Sequence, residues 1–309
     1  MVQLDIKRLY ATDDKSEVHE LLAAAEQADG IRPLSDHMWL DLRQGGRPGF
    51  AALLGLQSGH GHALAYCQVS RGNDSWSLDL VIHPGHRTEM ATIGPQLLER
   101  AVRIVADEGG GHVHWWVFQP NETHAELAQA INFVPGRSLL QMRVPLPLAA
   151  QVVSAVKQIS TREFRVGVDE ENWLAANNRA FMDHPEQGGW TLEILQSRER
   201  EPWFDPHGFL LHDENHQLAG FCWTKLHPAT NPMLGEIYVV AVDPQFAGRG
   251  LGRALTAAGL QHLTTAGAVI GMLYVDSQNA AAVSMYATLG FTTHFVQRAY
   301  VGDIGPSSR

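Results

Sequence analysis

The sequence predicts an α/β protein in which one domain pattern is used twice, and three observations lead there. The chain has 309 residues, which at roughly 100–200 residues per domain suggests two domains. Its hydrophobic fraction of 45% and charged fraction of 18% are those of an ordinary globular chain that can build a sizeable core. Matching features also recur at an offset near half the chain length.

The elements follow in order. In the first half an apolar run, Leu78-Asp-Leu-Val-Ile-His-Pro84, ends in a proline, and in the second Glu236-Ile-Tyr-Val-Val-Ala-Val-Asp-Pro244 does the same. Each is followed by a glycine-containing stretch and then by apolar residues three and four apart, Leu97, Leu98, Ala101, Val102 and Val105 against Leu251, Ala254, Leu255 and Ala258, which is the period of an amphipathic helix. A short strand comes next in each half, at 113–118 and 272–275. A further helix leads to Phe133 and Phe291, and a terminal strand ends each half, at 139–144 and 294–301. Strand, helix, strand, helix, strand is an α/β order. Pro145 and Pro147 interrupt any central strand or helix near the midpoint, so the domains are expected at 1–146 and 147–309.

Charge and composition narrow the function classes. Lys+Arg 23 against Asp+Glu 33 leaves a net charge of -10, which argues against nucleic acid, whose binding needs clustered basic residues. Cys67 and Cys222 are too few for a disulfide framework and fit a reducing compartment. The first residues lack the apolar core of a signal peptide, and no run approaches the roughly 18 apolar residues of a membrane span. A cytoplasmic protein without membrane or nucleic-acid partners is expected.

The stretch Ala247-Gly-Arg-Gly-Leu-Gly252 lies between a predicted strand and a predicted helix. Backbone N–H groups at such a junction, with the helix N-terminus, can hold a phosphate, and Arg249 and Arg253 add positive charge beside it. The spacing is neither the Rossmann fingerprint nor a P-loop. A lone glycine pair would be read as a turn. Here Val242-Asp-Pro244 precedes it and Asn279-x-x-Ala282-x-x-x-Tyr286-x-x-x-Gly290-Phe291 follows, and this ordered set resembles the GNAT N-acetyltransferase superfamily.

That resemblance implies two tandem GNAT domains, each a mixed, mostly antiparallel central sheet flanked by helices. It implies acetyl-CoA as cosubstrate and no metal. The pyrophosphate would lie on Ala247, Gly248, Arg249, Gly250, Leu251, Gly252 and Arg253, beside the strand end Val240, Ala241 and Val242, while Asn279, Ala282 and Val283 would flank the pantetheine arm. Family loops usually carry Arg or Gln where this chain has Ala247, so one side-chain contact is absent while the backbone cradle is retained.

Four further stretches, Ala180-Phe-Met-Asp-His-Pro-Glu-Gln-Gly-Gly-Trp190, Glu201-Pro-Trp-Phe-Asp-Pro206, Phe221-Cys-Trp-Thr-Lys225 and Gly235-Glu-Ile-Tyr-Val-Val-Ala-Val-Asp-Pro244, narrow the resemblance to the mycothiol synthase family. It implies acetylation of the cysteinyl amine of the thiol pseudo-disaccharide Cys-GlcN-Ins, with Asp36, Glu186, Lys225, Glu236 and Tyr274 as polar contacts to the acceptor. The first half keeps the pattern but loses the glycine run, and Ala128 falls where Tyr286 stands. A non-catalytic first domain is therefore expected. If it holds acetyl-CoA, the family's way of doing so implicates Leu80, Val81 and Ile82 and the segment 87–94. Two fused copies make a pseudo-dimer within one chain, and a monomer is expected.

Residue chemistry supplies roles. An α-amino group titrates near pH 7.7–8.0, so most of it is protonated at neutral pH and a base is needed. Glu236, opening the strand into the glycine loop, fits that role, its bland alternative being a solvated strand-end carboxylate. A thiol leaving group titrates near pH 8.5 and leaves more readily beside a donor; the phenol of Tyr286 qualifies, against the alternative of a half-buried aromatic. Backbone N–H groups at 240–242 are candidate donors to the reacting oxygen. His60 with His62 and His112 with His114 lack the further ligands zinc needs. The cysteines, inside apolar strands, read as core residues. Two other readings stay open: a GNAT enzyme for another amine, such as an aminoglycoside or a protein N-terminus, and an acetyl-CoA-binding regulatory module.

Overall fold

The structure, a computed structural model, describes residues 4–9, 15–30, 32–44, 48–58, 62–72, 75–182 and 187–307. It divides into two compact units, residues 1–139 with 296–309, and residues 140–295.

In the first unit the strands β1 (Leu4–Leu9), β2 (Phe50–Gln57), β3 (Ala63–Arg71), β4 (Trp76–Ile82) and β5 (Gly111–Phe118) lie side by side in that order, and β12 (Thr292–Ile304) pairs with β5 at the edge of this set. All pairs are antiparallel except β4 with β5, where a helical crossover makes the pair parallel. That crossover helix, α3 (Met90–Asp107), buries Ile93, Leu97, Leu98, Ala101, Ile104 and Val105 on one stripe, the spacing that made it legible. Helices α1 (Lys15–Asp29) and α2 (Asp36–Gln44) cover the opposite face through Val18, Leu22 and Met38. Helix α4 (Glu122–Ala130) joins the α3 side through Leu127 and Ala128.

The second unit repeats this plan. Its strands run β6 (Val134–Pro145), β11 (Ile270–Asp276), β10 (Leu234–Val242), β9 (Gln217–His227), β8 (Phe209–Glu214) and β7 (Arg162–Glu163). Again β7–β8, β8–β9 and β9–β10 are antiparallel while the crossover pair, β10 with β11, is parallel. Helix α8 (Leu251–Thr265) and helix α9 (Ala280–Thr288) pack on one face, burying Leu255, Leu260, Leu263 and Tyr286. Helices α6 (Glu170–Ala180) and α7 (Leu192–Glu199) close the other through an aromatic layer in which Trp173 meets Trp190, Phe209, Phe221 and Trp223. A short helix, α5 (Ala150–Ser154), follows β6.

Both sheets are thus mixed and mostly antiparallel, with helices on both faces. The last strand of the second half completes the first unit's sheet, while residues 140–145 of β6 lie with the second unit. Cys67 and Cys222 are fully buried in β3 and β9 as small core residues. Among the described residues no helix is long and apolar enough to cross a membrane, and no three His, Cys, Asp or Glu side chains gather as a metal site requires. His60 lies outside the described residues; His112 pairs with Asp303 at 2.7 Å.

Candidate active site

The site begins where the parallel ladder stops. β10 pairs with β11 only from Leu234–Ile270 to Glu236–Met272, although β10 continues to Val242 and β11 to Asp276. Past Glu236 the β11 side of β10 has no ladder partner among the described residues, so Val240, Ala241 and Val242 turn one row of backbone groups to an opening that an extended ligand arm can fill. On its other side β10 stays bonded to β9, but the register slips between Ile237 and Val239. The slip is a bulge at Tyr238, which sends Tyr238 and Val239 alike into the aromatic layer and re-aims the backbone at the mouth of the opening. Sequence reasoning did not find this bulge.

The glycine loop follows. Asp243 is buried; one carboxylate oxygen accepts from the backbone N–H of Gln245 at 3.0 Å, and the other accepts from Nε and Nη2 of Arg179 on α6 at 2.8 and 2.6 Å. Ala247 is extended, Gly248 and Gly250 have φ of 76° and 78°, and α8 starts at Leu251. A left-handed φ costs an L-residue about 1–2 kcal/mol, which is why glycine stands at both positions. The first helical hydrogen bond runs from the Ala254 N–H to the Gly250 carbonyl, so the N–H groups of Leu251, Gly252 and Arg253 are free of helical partners. The Nε of Arg253 is buried with no hydrogen-bond partner among the described residues. Arg249 lies over the Phe246 ring at 5.3 Å and donates to Glu214 at 3.1 Å. Unpaired backbone donors, a helix N-terminus and an orphaned guanidinium nitrogen are the donor set a diphosphate needs, so the loop fits the acetyl-CoA that the resemblance implies.

The two candidate catalytic side chains lie on opposite faces of the sheet. Tyr286, on α9, is buried on the α8 side. Burial pushes its phenol well up, and the nearby Cys222 thiol adds to the shift, so it stays a proton donor at neutral pH. Burial also pushes the Cys222 thiol up to about 12, which makes it inert. Asn279 caps α9 by accepting from the Ala282 N–H at 3.1 Å, while Ala282 and Val283 pack against the core.

Glu236 is buried on the aromatic side, opposite Lys225 in the ladder. The Lys225 Nζ sits 4.4 Å from the ring centre of Trp203 and 5.4 Å from that of Tyr238, a cation–π seat. One oxygen of Glu236 is 2.8 Å from Nε2 of His227, a residue that sequence reasoning passed over. The signal was there: His227 is two positions beyond Lys225 on the same strand and so shares its face. Tyr274, on β11 two residues after the partner of Glu236, also shares that face; its hydroxyl accepts from Gln141 at 2.8 Å. Glu186 lies outside the described residues, and so does the side chain of Asp36, whose backbone opens α2. Leu80, Val81 and Ile82 belong to the first unit, on β4 just past the end of its own parallel ladder at Leu78.

Residues 171–291 match the acetyltransferase (GNAT) family. The fold is similar to a GCN5-related N-acetyltransferase from Sphaerobacter thermophilus, with a TM-score of 0.71 and 22% identity over 98% of this chain and 97% of that one. It is equally similar to a tandem GNAT protein from the clavulanic acid biosynthesis pathway, with a TM-score of 0.71 and 17% identity over 99% and 100% of the two chains. In sequence the chain is 44% identical over 291 residues to the mycothiol acetyltransferase of Thermobispora bispora, covering 93% of this chain and 95% of that protein. Against the mycothiol acetyltransferase of Thermomonospora curvata it is 42% identical over 288 residues, covering 92% of each. Fold and relatives together define an acetyl-CoA-dependent N-acetyltransferase of the GNAT class. Within that class, the chain belongs to the mycothiol acetyltransferase family.

Proposed function

We propose that the protein acetylates the cysteinyl amine of Cys-GlcN-Ins, the last step of mycothiol biosynthesis, by direct attack with Glu236 as general base and Tyr286 as general acid. What supports this reading is a buried carboxylate and a buried phenol on opposite faces of the sheet, the carboxylate at the last residue of the β10–β11 ladder. Acetyl-CoA supplies the thioester. Glu236 takes a proton from the ammonium, directly or through a water, and the freed amine attacks the carbonyl carbon while backbone N–H groups at 240–242 stabilise its oxygen. The C–S bond breaks, Tyr286 protonates the departing sulfur, and the nitrogen sheds its second proton to solvent, from which the Tyr286 phenolate is reprotonated, so that a neutral amide is left. Lys225 and Tyr274 contact the sugar–inositol part, with Glu186 as a further acceptor contact.

The first unit is non-catalytic in this reading. Aligning Ile82 with Val242 along the strands and their partners on β3 and β9 sets Ser77 at the position of Glu236 and Ser70 at that of Lys225. The ladder between β3 and β4 has no bulge, and α4 carries Ala128 where α9 carries Tyr286. Base, acid and bulge are all missing there. The protein works as a monomer in the cytoplasm, without a metal.

The test is to incubate the protein with acetyl-CoA and Cys-GlcN-Ins, beside glucosaminyl-inositol lacking cysteine and a panel of other amines, and to follow acetylated products by mass spectrometry. Selective acetylation of Cys-GlcN-Ins is expected. Turnover of another amine instead would overturn the acceptor, and acetyl-CoA binding without any product would overturn catalysis.

A further inference from the structure

The geometry points to His227 as a positioning residue that holds the carboxylate of Glu236 in its reactive orientation. The inference rests on the reading of Glu236 as the base. His227 ends β9 and lies opposite Leu234, two positions along the ladder from the Lys225–Glu236 pair, so its imidazole and the carboxylate are diagonal neighbours on one face. Their contact is 2.8 Å between Nε2 and one Glu236 oxygen. An ionised carboxylate only accepts, so Nε2 carries the proton and donates. That bond occupies one oxygen and leaves the other as the proton acceptor.

The turn that carries His227 is itself braced. Thr230 donates through both its backbone N–H, at 3.1 Å, and its hydroxyl, at 2.7 Å, to the His227 carbonyl. The same hydroxyl accepts from the Leu234 N–H at 2.9 Å. One side chain therefore ties the end of β9 to the start of β10 and fixes the register that sets imidazole against carboxylate. Of the pair, the imidazole is the more exposed and Glu236 the more buried. A buried carboxylate with one free rotor needs such a partner, because a general base misplaced by about 1 Å loses on the order of 100-fold in rate. Lys225, the other charged group facing Glu236 from β9, has its ammonium seated over Trp203 and Tyr238; Met272 faces it from β11 without a polar group.

The experiment is a kinetic cycle with acetyl-CoA and Cys-GlcN-Ins: His227→Phe and His227→Gln, each in the parent and in the Glu236→Gln protein, with circular dichroism and acetyl-CoA calorimetry as folding controls. Gln sets an N–H donor where Nε2 was. His227→Phe should lower kcat by about 10- to 100-fold with the KM for acetyl-CoA unchanged, His227→Gln should restore most of it, and neither should add to the loss in Glu236→Gln. Parent-like kcat in His227→Phe, or the same further loss in both backgrounds, would overturn the positioning role. His227→Gln as inactive as His227→Phe, both folded, would overturn it too, by making the imidazole the proton acceptor. If His227→Phe does not fold, His227→Ala takes its place in the same cycle. Full turnover in Glu236→Gln would instead sink the reading of Glu236 as base, and the two failures are told apart.

Discussion

Glu236 and Tyr286 differ in what their replacement should leave behind. Glu236→Gln keeps the size of the side chain and an acceptor for His227 but removes the basic oxygen, so kcat should fall by about 100-fold or more. Acetyl-CoA affinity, which in this proposal the loop and helix N-terminus some residues later provide, should not change by calorimetry. Tyr286→Phe keeps the ring that packs against Phe291 at 5.7 Å and deletes only the donor. A loss of about tenfold or more in kcat with a native melting curve is the expected result; an unaltered rate would mean that the thiolate leaves unaided. As proposals, the roles of Glu236 and Tyr286 were readable in the sequence because a carboxylate at a strand end and a tyrosine at fixed spacing are local marks. His227 was not, because its importance arises from a partner across a ladder.

Two elements carry predictions of their own. At the start of α8, Gly250 caps the helix with a left-handed φ of 78° and has nothing within 4 Å of where a methyl group would stand, so Gly250→Ala meets strain without a clash. It should cost about 1–2 kcal/mol in urea unfolding and weaken acetyl-CoA binding as well, since the first-turn N–H groups must tilt to relieve that strain. In β4, Asp79 is buried beside Gln68 and Tyr66, and burial holds its carboxyl well above the usual carboxylate range. A raised acid favours the folded state most below its unfolded pKa of about 3.9, and that advantage is lost as pH rises through the folded value. Asp79→Asn does not titrate, so its stabilising effect on the first unit should be small near pH 4 and larger at pH 8, as measured by denaturant unfolding. The opposite trend would mean that the ionised carboxylate is paired.

At the scale of the whole molecule, the first unit depends on both ends of the chain. Residues 297–304 of β12 form an antiparallel ladder with 111–118 of β5, and Tyr300, nearly wholly buried, packs 5.7 Å from Trp115. Tyr300→Ala should therefore destabilise the first unit by about 3–5 kcal/mol, the cost of emptying a large aromatic site. Truncation after Phe295 should do more, because it also strips β5 of its edge partner. Limited proteolysis of the truncated chain is expected to attack the first unit before the second, and simultaneous loss of both would show that the units melt together.

The sequence by itself determined the doubled strand–helix order, the amphipathic stripes of α3 and α8, the glycine loop after Pro244 and the family resemblance. Each of these depends on neighbours within a few turns or on the stereochemistry of single residues, so each is written locally. Only the tertiary structure decided that β12 closes the first sheet, that β10 is bulged at Tyr238 and parts from β11 after Glu236, and that Asp243 is clamped by Arg179 and Glu236 by His227. Those features are pairings between segments distant along the chain or across a ladder. Apolar periodicity says which face of a strand is buried, but the partner strand, its register and the one residue out of step are chosen by the competition among all the surfaces that fold together.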